Sequence, residues 1–156
     1  MTDGPLVIDA SVLAKIYLRD EEFSRVAEAL VRGHSTGARQ LVAPDLIQYE
    51  IARAIQAAVR KRRLDPIDGR RAVRQFFALR IQTLGSTERS RRPLIESAYL
   101  RAEQLGCRLN DAVYVVMAEV LGYEFITADR KLHTAISSQV DLVVWIGDYP
   151  IDETSS

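Results

Sequence analysis

Leu6-Val7-Ile8-Asp9-Ala10-Ser11-Val12-Leu13-Ala14-Lys15-Ile16-Tyr17 is the stretch on which the fold turns. Three apolar residues stop at an acid, and the apolar positions then recur as Val12, Leu13, Ile16 and Tyr17, the spacing of a helix face. The stretch therefore predicts a short strand, an aspartate at its carboxyl end, and a helix. The same alternation continues downstream. Residues 20–32 carry Phe23, Val26, Ala27, Leu30 and Val31 at helical spacing, with acids in the first turn to suit the dipole and an end near Gly33. Leu41-Val42-Ala43 predicts a second strand, and Pro44 suits the start of a long helix running to about Arg63. Asp65-Pro66 opens a further helix with Val73, Phe76, Phe77 and Leu79 as apolar positions and a mostly Arg outer face, closed by Leu84-Gly85. Residues 93–105 predict another helix before Gly106, and Asn110 or Asp111 could cap the next, over 112–121, which stops at Gly122. Phe125-Ile126-Thr127 then predicts a strand, residues 129–136 a short helix, and residues 142–146 a last strand. Short strands that are apolar throughout, alternating with helices, describe an α/β three-layer sandwich with a central, mainly parallel sheet covered on both faces.

The composition fits this reading. A chain of 156 residues, 47% hydrophobic and 27% charged, suits one domain over residues 1–150 with a loose tail over 151–156, and poorly suits disorder, collagen or a coiled coil. The longest uncharged apolar run, residues 112–118, falls far short of the ~20 residues of a membrane span. The opening MTDGPLVIDA carries no readable signal peptide, so a soluble, cytoplasmic protein is expected. One cysteine, Cys107, permits no internal disulfide, and two histidines build no zinc site of the usual Cys/His kind. Zero net charge argues against coating nucleic acid through bulk charge, but the charge is polarised. Residues 53–101 hold 13 basic against four acidic residues, leaving 8 against 17 elsewhere. Eighteen of the 21 bases are Arg, which suits phosphate recognition by a planar donor fork and is matched at least as well by a GC-rich genome.

In open α/β sheets the ligand crevice lies outside the carboxyl ends of the strands. Asp9 follows the first strand there, Asp129 lies two residues beyond Ile126, and Asp111 opens a helix that would deliver it to the same edge. Glu50 sits between Ile47 and Ala54 on an apolar helix stripe, where a charge needs a partner. Each Asp alone reads more readily as a helix N-cap, and Glu50 alone could reach past the apolar rim to solvent. Together, with little basic charge beside them in sequence, they suggest a shared acidic pocket. Like charges about 4 Å apart repel by roughly 4 kcal/mol at an effective dielectric of 20, so such a pocket calls for a neutralising cation. All-oxygen ligands select Mg²⁺ or Mn²⁺. The natural chemistry of that ion beside carboxylates is phosphodiester hydrolysis, in which it lowers the pKa of a water and neutralises charge on the phosphate, while the Arg-rich segment guides the polyanion.

Val7-Ile8-Asp9-Ala10-Ser11, Glu50 on its helix, Asn110-Asp111-Ala112-Val113-Tyr114 and Ile126-Thr127-Ala128-Asp129-Arg130-Lys131-Leu132 resemble, in order and spacing, the four acidic motifs of PIN-domain ribonucleases, particularly the VapC-like toxins of toxin–antitoxin pairs. The resemblance spans nearly the whole chain. It implies that Asp9, Glu50, Asp111 and Asp129 bind Mg²⁺ or Mn²⁺ for endonucleolytic cleavage of RNA, supported by hydrogen bonds from Thr127 and, more weakly, Ser11. It further implies a homodimer and a small antitoxin that blocks the acidic groove, often with a basic side chain.

Other residues take plainer roles. His34, in a loop over 33–37, and His133, on a short polar helix, are not expected to be catalytic. Tyr99, Tyr114 and Trp145 fall at helix or strand periods among apolar neighbours and are expected in the core. Arg60-Lys61-Arg62-Arg63 suits a solvated helix end, with RNA contact as the less favoured alternative. Two other functions compete with the nuclease. A catalytically weak RNA-binding or partner-binding domain of the same fold is opposed by the retention of all four acids. A metal-dependent phosphatase or phosphoacceptor would want an acid at position 11, where Ser stands, and a Lys in the late strand, which has none.

Overall fold

The computed structural model describes residues 4–18 and 22–151. The tail over 152–156 and the acids Asp20 and Glu21, expected in a first helical turn, lie outside the described residues. The chain runs β1 (Leu6–Ile8), α1 (Ala10–Tyr17), α2 (Ser24–Ser35), β2 (Leu41–Pro44), α3 (Ile47–Arg60), α4 (Pro66–Ala78), β3 (Gln82–Leu84), α5 (Glu88–Leu105), α6 (Leu109–Leu121), β4 (Glu124–Thr127), α7 (Arg130–Ile136) and β5 (Val143–Trp145), then a 3-10 turn over Ile146–Asp148. The strands form one sheet in the order β3-β2-β1-β4-β5, every neighbouring pair parallel. The expected α/β sandwich is therefore correct. β1 is the switch point: the chain winds outward through β2 and β3 on one side, then returns to lay β4 and β5 on the other. Connections leave β1 and β4 in opposite directions, which opens a crevice at their carboxyl ends.

The fully buried strands β1 and β2 have no polar side chain in them, as the apolar runs require. Their residues join Leu13, Ile47, Ile51, Tyr114, Phe125, Ile126 and Ile136 in the main core, each such side chain stabilising the fold by about 1.5–3 kcal/mol through burial. A smaller cluster of Ala98, Ala112, Val113 and Val116 joins α5 to α6.

Several boundaries differ from expectation, each for a local reason. β3 replaces the expected close of a helical region, because Gln82-Thr83-Leu84 is a half-exposed edge strand without an apolar run. Pro44 ends β2 opposite Leu84 rather than opening α3, and the Asp45 N–H donates to the Leu84 carbonyl one residue on. α2 continues past Gly33, so His34 is helical rather than in a loop. Its Nδ1 accepts from the Leu41 N–H at 3.1 Å, and Nε2 lies 3.0 Å from the Leu79 carbonyl oxygen. α5 starts at Glu88, five residues before Pro93, because the Thr87 side chain caps it by accepting from the Ser90 N–H. α3 ends at Arg60, and Arg62 turns the chain with a φ of 57°. Tyr99 is 59% exposed, not core, since α5 buries only its Ala98 and Leu105. Trp145 is half-buried and carries the Arg130 guanidinium 4.4 Å over its ring.

Candidate functional site

Asp9 stands immediately beyond β1, 7% exposed, with its backbone N–H bonded to the Ile126 carbonyl of β4. It occupies the N-cap position of α1 but its side chain caps nothing. Instead Oδ2 accepts two hydroxyl protons, from Thr127 at 2.7 Å and from Ser11 at 3.0 Å. Both hydroxyl oxygens also accept backbone N–H groups of the turn after β4, Ser11 from Ala128 and Thr127 from Asp129, each at 3.0 Å. Thus the β1 acid, the first turn of α1 and the β4 turn are stitched together, with Thr127 fully buried at the centre. Burial raises the Asp9 pKa above its ordinary value. The two hydroxyls oppose the rise, and the charge of Asp111 adds to it.

Glu50 faces the same region from α3. Its Oε1 accepts the Tyr114 hydroxyl proton at 2.8 Å. Tyr114 itself is 1% exposed and stacks on Phe125 of β4, with ring centroids 5.4 Å apart. Burial raises the Glu50 pKa, Tyr114 opposes this, and the charges of Asp9 and then Asp111 raise it further. The partner that a Glu on an apolar stripe requires is therefore a buried tyrosine. Asp111 lies in the first turn of α6, not at its cap, where the residue is Arg108. α6 leads back into β4 through Gly122, so its start lies at the crevice edge as expected. Asp129 does cap α7, its Oδ1 accepting from the Leu132 N–H at 3.0 Å. The simple capping reading holds for Asp129 alone among the three aspartates.

The expectation of little basic charge near the acids fails at Arg108. Its Nε lies 3.0 Å from Asp111 Oδ2, and its terminal nitrogen lies 3.4 Å from Asp111 Oδ1 and 3.7 Å from Asp129 Oδ2. Three residues separate Arg108 from Asp111, one helical turn, so the signal was present in the sequence. The guanidinium side chain is 76% exposed and closes nothing off from solvent. Among the described residues, no three His, Cys, Asp or Glu side chains are grouped at metal-ligand spacing.

The donor set nevertheless suits a hard divalent cation. Side-chain hydrogen bonds from the scaffold reach Asp9 Oδ2 and Glu50 Oε1, and a backbone N–H reaches Asp129 Oδ1. Oxygen alone is offered, from carboxylates that raise one another's affinity for positive charge.

Arg60, Lys61, Arg62 and Arg63 are not brought to this cluster. Arg60 ends α3, ten residues from Glu50 and thus about 15 Å along the helix axis, and Lys61, Arg62 and Arg63 follow beyond the helix. Tyr114, expected as core, is core and also a site residue. Its place three residues after Asp111, on the buried face of α6, was the available signal. Cys107 is unsuited to nucleophilic use, because burial and the charge of Asp111 raise its pKa. No helix among the described residues is long and apolar enough to cross a membrane.

The chain is 27% identical over 131 residues to Ribonuclease VapC3 of Pyrobaculum aerophilum, covering 81% of this chain and 91% of that protein. It is 28% identical over 141 residues to Ribonuclease VapC9 of Mycobacterium tuberculosis, covering 89% of this chain and 97% of the relative. Its fold matches the crystal structure of PAE2754 from Pyrobaculum aerophilum with a TM-score of 0.66 at 19% identity, covering 92% of this chain and 91% of that one. The PIN domain family matches residues 6–136, a span that begins with β1, takes in all four acids and ends with α7. An aspartate beyond each central strand of a parallel sheet, joined by acids from α3 and α6, is thus the arrangement of a chain that belongs to the PIN domain family.

Proposed function

We propose that this protein is a metal-dependent endoribonuclease, the toxin of a toxin–antitoxin pair, with Asp9, Glu50, Asp111 and Asp129 as its Mg²⁺- or Mn²⁺-binding and catalytic carboxylates. The observation that carries this reading is the convergence at the acids: buried hydroxyls fix one oxygen each of Asp9 and Glu50, the charge of Asp111 bears on both, and one exposed cation, Arg108, answers Asp111 and Asp129. A bound divalent ion supplies Lewis-acid activation of a water and neutralises charge gathering on the phosphate. The chain's own residues do the rest. Thr127 and Ser11 fix the rotation of the Asp9 carboxylate, and Tyr114 fixes Glu50, so that neither has to reorient as charge develops. Arg108 supplies the counter-charge to Asp111.

RNA is the substrate in this reading, reached in the cytoplasm, and the basic Arg60, Lys61, Arg62 and Arg63 run contacts RNA beyond the cut site. The matched relatives are named as ribonucleases, which supports an RNA substrate; the small antitoxin partner and the homodimer are what the resemblance of the four acidic motifs implies. The decisive assay is cleavage of end-labelled RNA with Mn²⁺, with EDTA, and with Asp9→Asn or Asp111→Asn. Loss of cleavage by about 100-fold or more is expected in every case but the first. Cleavage at full rate in EDTA sinks the mechanism. The pairing of Arg108 with Asp111 favours one other reading, an RNA-binding or partner-binding domain with a weak site. A calorimetric titration in which neither Mg²⁺ nor Mn²⁺ binds would select it.

A further inference from the structure

Beside the acids, and sharing Glu50 with them, lies a cleft of about 510 Å³ whose walls include Leu46, Tyr49, Arg53, Gln56 and Asn110. Tyr49, Arg53 and Gln56 follow one another on α3 at intervals of four and three residues, so they form one stripe beside Glu50. Asn110 faces them from the first turn of α6, next to Asp111. Tyr49 is 82% exposed on a helix that buries Ile47, Ile51 and Ile55, so core packing does not account for it. Among the described residues, the Tyr49 hydroxyl and the Gln56 and Asn110 amides have no hydrogen-bond partner in the chain. Arg53 has its charge near the acid end, where it lowers the Glu50 pKa.

We propose that this cleft is a nucleobase subsite, in which the base next to the scissile phosphate stacks on Tyr49, the amides of Gln56 and Asn110 meet its hydrogen-bonding edge, and Arg53 meets the adjoining phosphate. The proposal rests on the nuclease reading and gives it a source of sequence preference. Single-stranded RNA is recognised by stacking on aromatic rings and by hydrogen bonds to base edges, and a carboxamide offers both a donor and an acceptor for such an edge. The cleft is wide open to solvent, with room for a base laid flat on the α3 stripe rather than for an enclosed ligand. Because Glu50 belongs to both places, a strand with its scissile phosphate at the acids sets a neighbouring nucleotide in the cleft. Leu46 is the one sizeable aliphatic side chain in the wall, which suits a base better than a peptide's apolar anchor.

The test uses the full chain and two readouts. Binding of fluorescein-labelled hexauridine, hexacytidine and hexaadenosine is measured by anisotropy in EDTA, and cut sites in a random RNA pool are sequenced after incubation with Mn²⁺. Tyr49→Ala is expected to weaken hexanucleotide binding by about tenfold, Tyr49→Trp to retain it, and Gln56→Ala and Asn110→Ala to flatten the base preference on one side of the cut. The proposal is overturned, with the nuclease reading intact, if wild-type protein cuts RNA while Tyr49→Ala and Asn110→Ala change neither affinity nor cut-site profile. It is overturned in favour of protein docking if those substitutions release a co-expressed small partner and leave RNA affinity alone. A wild-type chain that cuts no RNA in Mn²⁺ removes both readings.

Discussion

Thr127 holds the site together through one proton. Its buried hydroxyl donates to Asp9 and accepts from the Asp129 N–H, so a single oxygen links two acids from neighbouring strands. Thr127→Val keeps the shape and deletes both bonds. A hydrogen bond to a charged group contributes about 1.5–3 kcal/mol, so urea denaturation in EDTA should show a loss of that order, while Thr127→Ser loses much less. Equal stability of the two variants would show that the hydroxyl does not matter. The pH response follows from Asp9 and Glu50, whose pKa values are raised chiefly by burial. A carboxyl with a folded pKa above its unfolded one contributes stability that is complete below the unfolded value and lost as pH rises through the folded value. Metal-free protein should therefore gain stability from these two groups as pH falls from neutrality toward the carboxylate range of about 4. Thermal melts across that range should show a flatter slope for Asp9→Asn than for wild type, and an unchanged slope would refute the assignment.

At the scale of elements, α3 carries Glu50 and is braced by α4, and the brace depends on Gly69. A Cβ at Gly69 would stand 2.7 Å from Val59 Cγ2 and 3.6 Å from Ile55 Cγ2. Alanine gains about 1 kcal/mol of helix propensity over glycine, but overpacking against a stiff β-branched side chain costs about 1–3 kcal/mol. Gly69→Ala should be net destabilising by about 1 kcal/mol in chemical denaturation, and Val59→Ala in the same chain should cost less than it does alone. Strict additivity of the two would show that the helices do not meet there. The elements most legible in the sequence were those with an apolar run or a clear helical stripe, such as β1, β2, β4 and α4 with its Asp65 cap. β3 was not legible, because an edge strand buries little and so carries no periodic signal. α5 begins five residues before its expected start, because Pro93 looks like a helix start and here lies inside one.

For the molecule as a whole, the proposed metal site makes a divalent cation a folded-state ligand. A ligand that binds only the folded state adds about 2.7 kcal/mol at 100 times its dissociation constant. Saturating Mn²⁺ should raise the melting temperature of the wild-type chain, more so at neutral than at acidic pH, and the gain should vanish in Asp9→Asn. A gain of the same size in that variant would place the metal elsewhere.

The sequence by itself determined four of the five strands and the helices between them, because hydrophobic period reports which face of a segment is buried and where a run is cut short by a charge. It also determined that Asp9 follows β1 and Asp129 follows β4. Only the tertiary structure decided that β1 and β4 are neighbours, that Tyr114 is the partner of Glu50, and that Arg108 spans Asp111 and Asp129. The physical reason is one of range. Periodicity is set by residues three or four apart, whereas a carboxylate's proton affinity and its partners are set by whatever the fold brings within a few ångströms, here side chains 64 and 118 positions away.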